Sequence, residues 1–337
     1  MKKILIFDLT KDLLDRYPKW FAKNLGDLCE YDLISMDEDR FYSCIKDNKW
    51  ILQYDALVVF GHRLPDLVLG MIFTKHGVPV IYFQHGVFKK RLERDYKSLF
   101  LLVLQKGFGY FKVFINGSKY RSYSKVIPDF IALTLAAFFD NKYVGKYIGS
   151  AWSDDILCGL VFTEKDKPVF ERIFQGKIKK IITIGTPDII RFGCNDRKYD
   201  VLIIAQSLVE DRRMSKEDYL FALKQNMLDL QRDYKKVAIF LHHRSDVAMY
   251  YEAGYDKSVI INNSWDIPNA QVYVSDYSSL LTTAMNLGKE VSRIEISKHL
   301  LPNGFDDIPL YPKTKKVGSN LSHQVDDNWS EQIMKLL

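Results

Sequence analysis

Short apolar runs rich in valine and isoleucine recur along the chain, and longer stretches of helical pattern separate them. A continuously apolar run is typical of a strand that is buried on both faces of a parallel sheet. Strands that alternate with helices predict an α/β protein, because each helix returns the chain to the start of the next parallel strand. The predicted strands fall in two series, 2–9, 31–36, 55–61, 79–83, 155–163 and 179–185 in the first and 200–206, 236–242, 257–262 and 271–276 in the second.

A polar stretch at 190–200, with a Gly-Cys-Asn-Asp turn signal, separates the two series. The chain has 337 residues, which is long enough for two domains of moderate size. We therefore predict an N-terminal Rossmann-like domain over 1–192 and a C-terminal Rossmann-like domain over 193–337 that face each other across a cleft. The turn-rich tail after about residue 300 is predicted to cross back over the domains before a last short helix.

Positive charge is concentrated between residues 89 and 147, where lysines and arginines are interleaved with apolar runs. Each apolar run is shorter than the roughly 20 residues that a membrane-spanning helix needs. The simpler interpretation is a helical insertion of core helices with Lys and Arg on their solvated faces. The alternative is a surface that rests on an anionic membrane or on a lipid-linked acceptor.

The remaining composition narrows the class of protein. The net charge of +6 makes anionic partners plausible, but no zinc-finger, RRM or KH motif predicts nucleic-acid binding. Four cysteines without metal-type spacing indicate reduced thiols, and the N-terminal run is interrupted by Asp8 and has no signal-peptide cleavage site. We expect a cytoplasmic protein, with contact to the inner membrane face as the alternative.

Polar clusters follow four of the predicted strands. In an open parallel sheet, ligands bind beyond the carboxyl ends of the strands, so these clusters are the places to look for chemistry. They are Phe-Gln-His-Gly at 83–86, Ala-Gln-Ser at 205–207, Leu-His-His-Arg-Ser-Asp at 241–246 and Ser-Asp-Tyr-Ser-Ser at 275–279.

The last cluster marks the corner between a strand and a helix that begins near Ser278 and Ser279. A serine there would cap the helix in any protein. Two adjacent hydroxyls together with Ser275 and Asp276 exceed what a cap needs. The unpaired N–H groups and the positive dipole end of a helix bind anions, so we predict a phosphate at this corner.

The cluster after the strand at 236–242 supplies the complementary cation. Arg244 can hold a phosphate or a carboxylate through two hydrogen bonds, and His242 or His243 can donate to the same anion or protonate a departing phosphate oxygen. Gln206 and Ser207 follow a neighbouring strand and join this predicted phosphate site. No third ligand lies at metal-type spacing, so we predict no metal and no cofactor.

His85 is the predicted general base. It follows an apolar strand directly, and its neighbour Gly86 allows the backbone to turn sharply or to approach a ligand closely. A neutral imidazole can remove the proton of a sugar hydroxyl as that hydroxyl attacks. The simpler interpretation is that His85 only orders its loop.

The order of these motifs resembles a bacterial group of GT-B-fold transferases. The group contains polysialyltransferases, lipooligosaccharide sialyltransferases, capsule Kdo transferases and the CDP-glycerol glycerophosphotransferases of teichoic acid synthesis. The resemblance covers about residues 79–291 and is best in the last motif, an Asp-x-Ser-Ser turn with a helix that ends in Gly-Lys-x-Val. The matching residues are Asp276, Ser278, Ser279, Gly288, Lys289 and Val291.

The resemblance implies roles for individual residues. The serine pair would bind the donor phosphate, and His242 stands at the histidine of a His-Pro motif in which His243 replaces the proline, so either imidazole remains a candidate. His85 would correspond to the base of a Trp-His-Gly motif, with Gln84 in place of the tryptophan. A turn from Gly185 through Pro187 is similar to the Gly-x-Pro turn that ends the first half of such enzymes.

The function that the resemblance implies is a glycosyltransferase of capsule or lipopolysaccharide synthesis. It would transfer an acidic sugar of the sialic, pseudaminic, legionaminic or Kdo type from a CMP-activated donor to a glycan acceptor, without a metal. One alternative is a glycerophosphotransferase that uses CDP-glycerol, and a second is a GT-B scaffold without activity. A nucleotide-sugar epimerase of similar two-domain form is a weaker alternative, because no run of acid and base residues typical of an epimerase is evident.

Overall fold

The computed structural model describes residues 1–61, 64–84, 111–112, 115–116, 157–174, 178–192, 198–210, 213–262, 264–276, 278–296, 307–318 and 328–337. These residues form two compact units. The first unit contains the described residues up to 185 together with 328–337, and the second contains those from 186 to 318. The prediction of an α/β chain with two Rossmann-like domains is confirmed.

The first unit has a six-stranded parallel sheet with the strand order β2-β1-β3-β4-β5-β6. Its described elements are Lys3–Asp8 (β1), Lys11–Leu14 (α1), Tyr17–Leu25 (α2), Glu30–Ser35 (β2), Phe41–Cys44 (α3), Asn48–Ile51 (α4), Ala56–Phe60 (β3), Leu64–Lys75 (α5), Val80–Phe83 (β4), Cys158–Val161 (β5), Lys167–Phe174 (α6) and Ile181–Thr183 (β6), with Trp329–Met334 (α10) from the end of the chain.

The second unit has a six-stranded sheet with the order β12-β11-β10-β7-β8-β9, in which the short β12 is antiparallel to β11 and the other neighbours are parallel. Its described elements are Lys198–Ile204 (β7), Lys216–Asp233 (α7), Val237–Phe240 (β8), Val247–Glu252 (α8), Ile260–Ile261 (β9), Asn269–Ser275 (β10), Ser279–Asn286 (α9), Glu290–Arg293 (β11) and Lys315–Lys316 (β12).

Strand β1 shows why the apolar runs are continuous. Leu5 and Phe7 pack in a core on one face of the first sheet, and Ile4 and Ile6 pack in a second core on the other face. Successive side chains of a strand point to opposite faces, so a sheet covered on both sides needs an apolar residue at every position. The run of apolar residues in the sequence therefore reports burial on two faces.

The last helix belongs to the first unit. In α10 the indole of Trp329 stacks on Phe21, with ring centroids 5.0 Å apart, and on Trp20 at 5.6 Å. Trp329 is 1% exposed, and Ile333 of the same helix is fully buried. The chain thus returns to its first unit after completing the second, and its last turn of helix is part of that core.

Before the chain enters the second unit, the first unit extends to Gly185, a few residues short of the boundary that the sequence indicates at 192. A 3₁₀ turn over Pro187–Arg191 follows, and the Ile267 N–H donates to the Arg191 carbonyl at 2.7 Å. Phe192 forms an isolated bridge with Ile267. These residues precede β7 in the chain but are paired within the second unit.

The predicted basic insertion at 89–147 lies outside the described residues, apart from 111–112 and 115–116. Within the described part of the chain, no helix has the length and apolar character that a bilayer span requires.

Gly159 in β5 leads to a test of packing in the first unit. A Cβ atom at this position would stand 2.4 Å from Cε1 of Phe170 in α6, and Phe170 is 1% exposed. We expect Gly159→Ala to lower the free energy of unfolding by about 1–3 kcal/mol, because a packed ring must move to admit the methyl group. Urea denaturation followed by circular dichroism measures the change.

Gly318→Ala is the matched control, because a Cβ there meets no atom of the described residues within 4 Å. We expect this control to change the free energy of unfolding by less than about 0.5 kcal/mol. Equal stability of the two variants would contradict the close approach of Phe170 to Gly159.

Candidate functional site at the carboxyl edge of the second sheet

The strand order of the second sheet reverses between β7 and β10. From β7 the chain proceeds to β8 and β9 on one side, and β10 then returns to the other side of β7. Ligands of open α/β sheets bind outside the carboxyl ends of the strands at such a reversal. Here the two ends are joined directly, because the Ser275 hydroxyl donates to the Ile204 carbonyl at 2.7 Å. The topology thus singles out the loops after β7 and β10.

The serine corner, residues 275–279 without Tyr277, begins α9. Ser278 is the N-cap of the helix, and its hydroxyl accepts a hydrogen bond from the Leu280 N–H at 3.2 Å. The Ser278 N–H in turn donates to the Ser275 hydroxyl at 3.3 Å. Ser275 and Ser278 are buried, whereas Ser279, the first residue of the helix, is partly exposed. Capping and loop closure therefore account for two of the hydroxyls, and the third takes no part in these bonds.

Asp276 is the unusual group of the corner. It is 1% exposed, and neither carboxyl oxygen has a hydrogen-bond partner within the described part of the chain. Burial raises the pKa of this carboxyl to about 7, the Glu295 charge acts in the same direction, and the Arg293 charge opposes the rise. A carboxyl that is half protonated near neutral pH lies directly beside the helix cap. The sequence placed Asp276 in the site but gave no sign of this environment.

Two hydrogen bonds join the loop after β7 to the loop after β8. The Arg244 guanidinium donates from Nη2 to the Ser207 hydroxyl at 2.9 Å, and the Asp246 N–H donates to Glu210 Oε1 at 2.7 Å. Ser207 is buried and Arg244 is exposed. Sequence reasoning missed Glu210, whose position in the loop after a predicted strand was the available signal.

The two histidines lie against each other. Their ring centroids are 4.0 Å apart and their planes are inclined by 38°. The Arg244 N–H donates to Nδ1 of His242 at 3.3 Å. In the neutral imidazole the proton is therefore on Nε2, which can donate to an anion. His242 is partly buried and His243 is exposed. The hydrogen bond from the Arg244 N–H fixes the orientation of the His242 ring.

The register of the sheet brings these loops to one level. Ile204, the last residue of β7, pairs with Phe240, the last residue of β8. Ile203 pairs with Val274, so Ser275 stands level with Ile204 on the other side. The histidine–arginine loop and the serine corner thus flank the end of β7. Gln206 lies in the same loop as Ser207, is partly buried, and has its amide nitrogen 3.5 Å from the Ala205 carbonyl.

In the first unit, Gln84 closes the gap between β4 and β5. Its N–H donates to the Leu160 carbonyl at 2.9 Å, and its side-chain oxygen accepts from the Phe162 N–H at 2.8 Å. Gln84 thus anchors the start of the loop that carries the predicted base. His85 and Gly86 themselves lie outside the described residues.

The two loop-shaping residues around the unit boundary lie in the described chain. Gly185 has a φ of +81°, in the left-handed region that favours glycine. Pro187 begins the 3₁₀ turn that packs against α9, and within this turn Asp188 and Arg191 form a 3.2 Å ion pair. The turn therefore supports the helix whose start carries the serine corner.

Metal binding has no candidate in the described part of the chain, where no group of three or more His, Cys, Asp or Glu side chains is arranged to hold an ion. The anion-binding groups of the site are hydroxyls, a guanidinium, imidazoles and the start of a helix. These groups bind phosphate and carboxylate through donated hydrogen bonds.

Comparison with known proteins gives similarity only in solved structures. No protein-family model matches the chain, and no curated protein matches it. The S. aureus MnaA–UDP co-structure is 12% identical, with a TM-score of 0.45, 99% of this chain covered and 95% of that one. A putative UDP-N-acetylglucosamine 2-epimerase from Listeria monocytogenes is 10% identical, with a TM-score of 0.48, 100% of this chain covered and 88% of that one.

Proposed function

We propose that the chain is a glycosyltransferase that transfers an acidic sugar from a CMP-activated donor to a glycan acceptor in bacterial surface polysaccharide synthesis. The second unit would hold the donor, with its phosphate at the start of α9. Transfer of glycerophosphate from CDP-glycerol is the alternative. A scaffold without activity is a further alternative, in which the same site binds a nucleotide without turnover.

One arrangement supports the donor site. The reversal of strand order lies where the serine corner, the buried Ser207 and the exposed Arg244 follow neighbouring strands at the same level. Ser279 offers a partly exposed hydroxyl at the first turn of α9, where the helix N–H groups and dipole favour an anion. Donors from three loops around one strand end suit a phosphate better than they suit an apolar ligand.

The proposed reaction forms a bond between the acceptor hydroxyl oxygen and the sugar carbon and breaks the bond between that carbon and the phosphate oxygen, which keeps the bonding electrons. Ser279 and the first N–H groups of α9 would stabilise the charge that develops on the phosphate. His242 would donate a hydrogen bond from Nε2 to the same anion, and Arg244 would bind the phosphate or the sugar carboxylate. His85 keeps its role as the proposed base that takes the proton of the acceptor hydroxyl. No step of this proposal assigns a role to a metal.

Thermal stability in the presence of nucleotides tests the donor class. A ligand that binds only the folded protein at 100 times its Kd stabilises it by about 2.7 kcal/mol. We expect CMP and CDP to raise the Tm, and UMP, UDP and GDP to have little effect. A rise with UDP and none with CMP would contradict the proposal.

Ser279→Ala tests the place of the phosphate. We expect this variant to lose most of the rise that CMP produces, because the partly exposed hydroxyl of the corner is removed while the Ser278 cap remains. Ser258→Ala, in an exposed turn far along the chain from the site, is the control and should keep the full rise. A full rise in Ser279→Ala would place the nucleotide elsewhere.

Turnover separates the three alternatives. The proposed enzyme should release CMP from CMP-sialic acid faster than it releases CMP from CDP-glycerol. The opposite preference would favour the glycerophosphotransferase. Binding of CMP without turnover of either donor in the presence of an acceptor extract would favour the scaffold.

A further inference from the structure

The buried carboxyl of Asp276 poses a problem for any anion bound at the start of α9. It lies between Ser275, which ties β10 to β7, and Ser278, which caps the helix. Its two oxygens have no hydrogen-bond partner among the residues that the structure describes, and the side chain is 1% exposed. Buried polar groups in native proteins are nearly always hydrogen-bonded, so an unpartnered carboxyl at a ligand-binding edge calls for a functional reason.

The charged groups around Asp276 act in opposite directions, since the Arg293 charge lowers its pKa and the Glu295 charge raises it. Arg293, at the end of the neighbouring β11, donates Nε to the Ile308 carbonyl at 2.7 Å, and its Nη1 is buried without a partner. Glu295 follows on the same segment and is exposed. The turn that packs against α9 contributes Asp188 and Arg191, which are paired with each other.

An ionised Asp276 would oppose the binding of a phosphate. The charges of the carboxylate and of the phosphate would then lie close together, because Asp276 is two residues before the N-cap Ser278. Both residues are buried, so water screens this repulsion poorly. Like charges at close range in a partly buried site disfavour the ionised form of one of them. The neutral acid removes this repulsion, and its O–H can serve as a hydrogen-bond donor.

We propose that Asp276 acts as a neutral acid in the anion site, so that binding of a phosphate at the start of α9 takes up one proton at this carboxyl. This inference rests on the proposed donor site and adds a positioning residue to it. The proton comes from solvent, binds one oxygen of Asp276 and returns to solvent when the anion leaves. No bond of the ligand is changed in this step.

The sign of the pH dependence follows from linkage. The pKa of Asp276 in the unliganded protein is about 7, and a bound anion raises it further. Below pH 7 the carboxyl is already protonated before binding, so this group leaves the affinity unchanged. Above pH 7 the free protein must first take up a proton, so the affinity falls by up to tenfold per pH unit. The fall stops when the pH exceeds the pKa of the anion-bound protein.

Calorimetric titration with CMP measures both consequences. We expect the Kd of the wild-type protein to rise about tenfold between pH 7 and pH 8.5, with close to one proton taken up at pH 8 when two buffers of different ionisation enthalpy are compared. Asp276→Asn imitates the neutral acid, so its Kd should stay constant over this range with no proton uptake. The ionisation of CMP itself is common to both proteins and cancels in the comparison.

Asp256→Asn is the control, because Asp256 is an exposed carboxylate near the start of β9. It should keep the wild-type pH dependence. Glu295→Gln removes a charge that raises the pKa of Asp276, so it should move the loss of affinity to lower pH. This exposed substitution also tests the inference if Asp276→Asn fails to fold.

The outcomes separate the two proposals. If CMP binds and Asp276→Asn keeps the wild-type pH dependence, or binds CMP tenfold more weakly than wild type at pH 8, the role of Asp276 is wrong and the donor site stands. If CMP binds at no pH, the donor site and the role of Asp276 both fail.

Discussion

We expect Trp329→Ala to lower the free energy of unfolding of the first unit by about 3–5 kcal/mol. The indole is almost fully buried and stacks on both Phe21 and Trp20 of α2. Its removal leaves a large cavity lined by two aromatic rings, and these rings are fixed in turn by Phe60 and Phe83 of the sheet. The cost includes the lost transfer energy of the indole and the cavity that the rigid rings cannot fill.

Urea denaturation followed by circular dichroism measures the loss, and Lys335→Ala, at the C-cap of the same helix, is the control. Lys335 is exposed, and its 3.8 Å ion pair with Glu331 is a weak surface pair. A loss below about 1 kcal/mol for Trp329→Ala would mean that the end of the chain is not part of the first core. We expect the two units to unfold in separate transitions, so the urea midpoint of the second unit should stay the same in Trp329→Ala.

The place of this last helix shows one limit of sequence reasoning. The helical pattern near the C-terminus is local, and it predicts the helix correctly. The partner of Trp329 is a residue in the second helix of the chain, and no local pattern encodes that pairing. The returning tail was a prediction from turn composition alone, whereas the aromatic stack fixes where it returns.

The strands show where hydrophobic pattern succeeds and where it fails. Strands such as β3 and β7 lie inside their sheets and are recognised because both of their faces are apolar. Strand β11 reads Glu-Val-Ser-Arg and was not predicted, although Val291, Ser292 and Arg293 are buried. The Ser292 hydroxyl donates to the Lys313 carbonyl at 2.7 Å, so contacts with a segment distant in sequence make a polar strand possible here.

The candidate site divides in the same way. A helix start at Ser278 follows from residue types and is found in the structure. The links between Ser275 and Ile204, and between Arg244 and Ser207, depend on β10 and β8 lying on opposite sides of β7. That order is a property of the whole sheet. The absence of a hydrogen-bond partner for Asp276 among the described residues is a property of its packing. The spacing of residues in the sequence therefore predicts neither the strand order nor the environment of Asp276.

We expect His242→Ala to lower donor turnover by about 10²–10³-fold, the usual contribution of one hydrogen-bond donor to a charge that develops in the transition state. The backbone N–H of Arg244 binds Nδ1 of His242, so the proton of the neutral ring is on Nε2. Removal of the ring takes away this donor and also releases the backbone that carries Arg244. The rate of CMP release from the donor that the wild-type protein consumes measures the effect.

Two substitutions separate the chemical role of His242 from its effect on the loop. In His242→Asn the amide oxygen can accept the Arg244 N–H in place of Nδ1, but nothing replaces Nε2. In His242→Gln the amide nitrogen can lie near the position of Nε2 and donate a hydrogen bond to the phosphate in its place. If His242 acts through the hydrogen bond from Nε2, His242→Gln should keep more of the turnover and of the CMP affinity than His242→Asn, and equal losses in the two variants would contradict this role.

His243→Ala is the matched control, because the two rings lie 4.0 Å apart on the same loop. His243 is exposed, whereas the Arg244 N–H holds the partly buried ring of His242 and its tautomer. We therefore expect a loss below about tenfold for His243→Ala. A larger loss for His243→Ala than for His242→Ala would assign the hydrogen-bond donor to His243. The contact between the Arg244 N–H and His242 would then have a different role, because it would hold His242 in place as a support for the ring of His243.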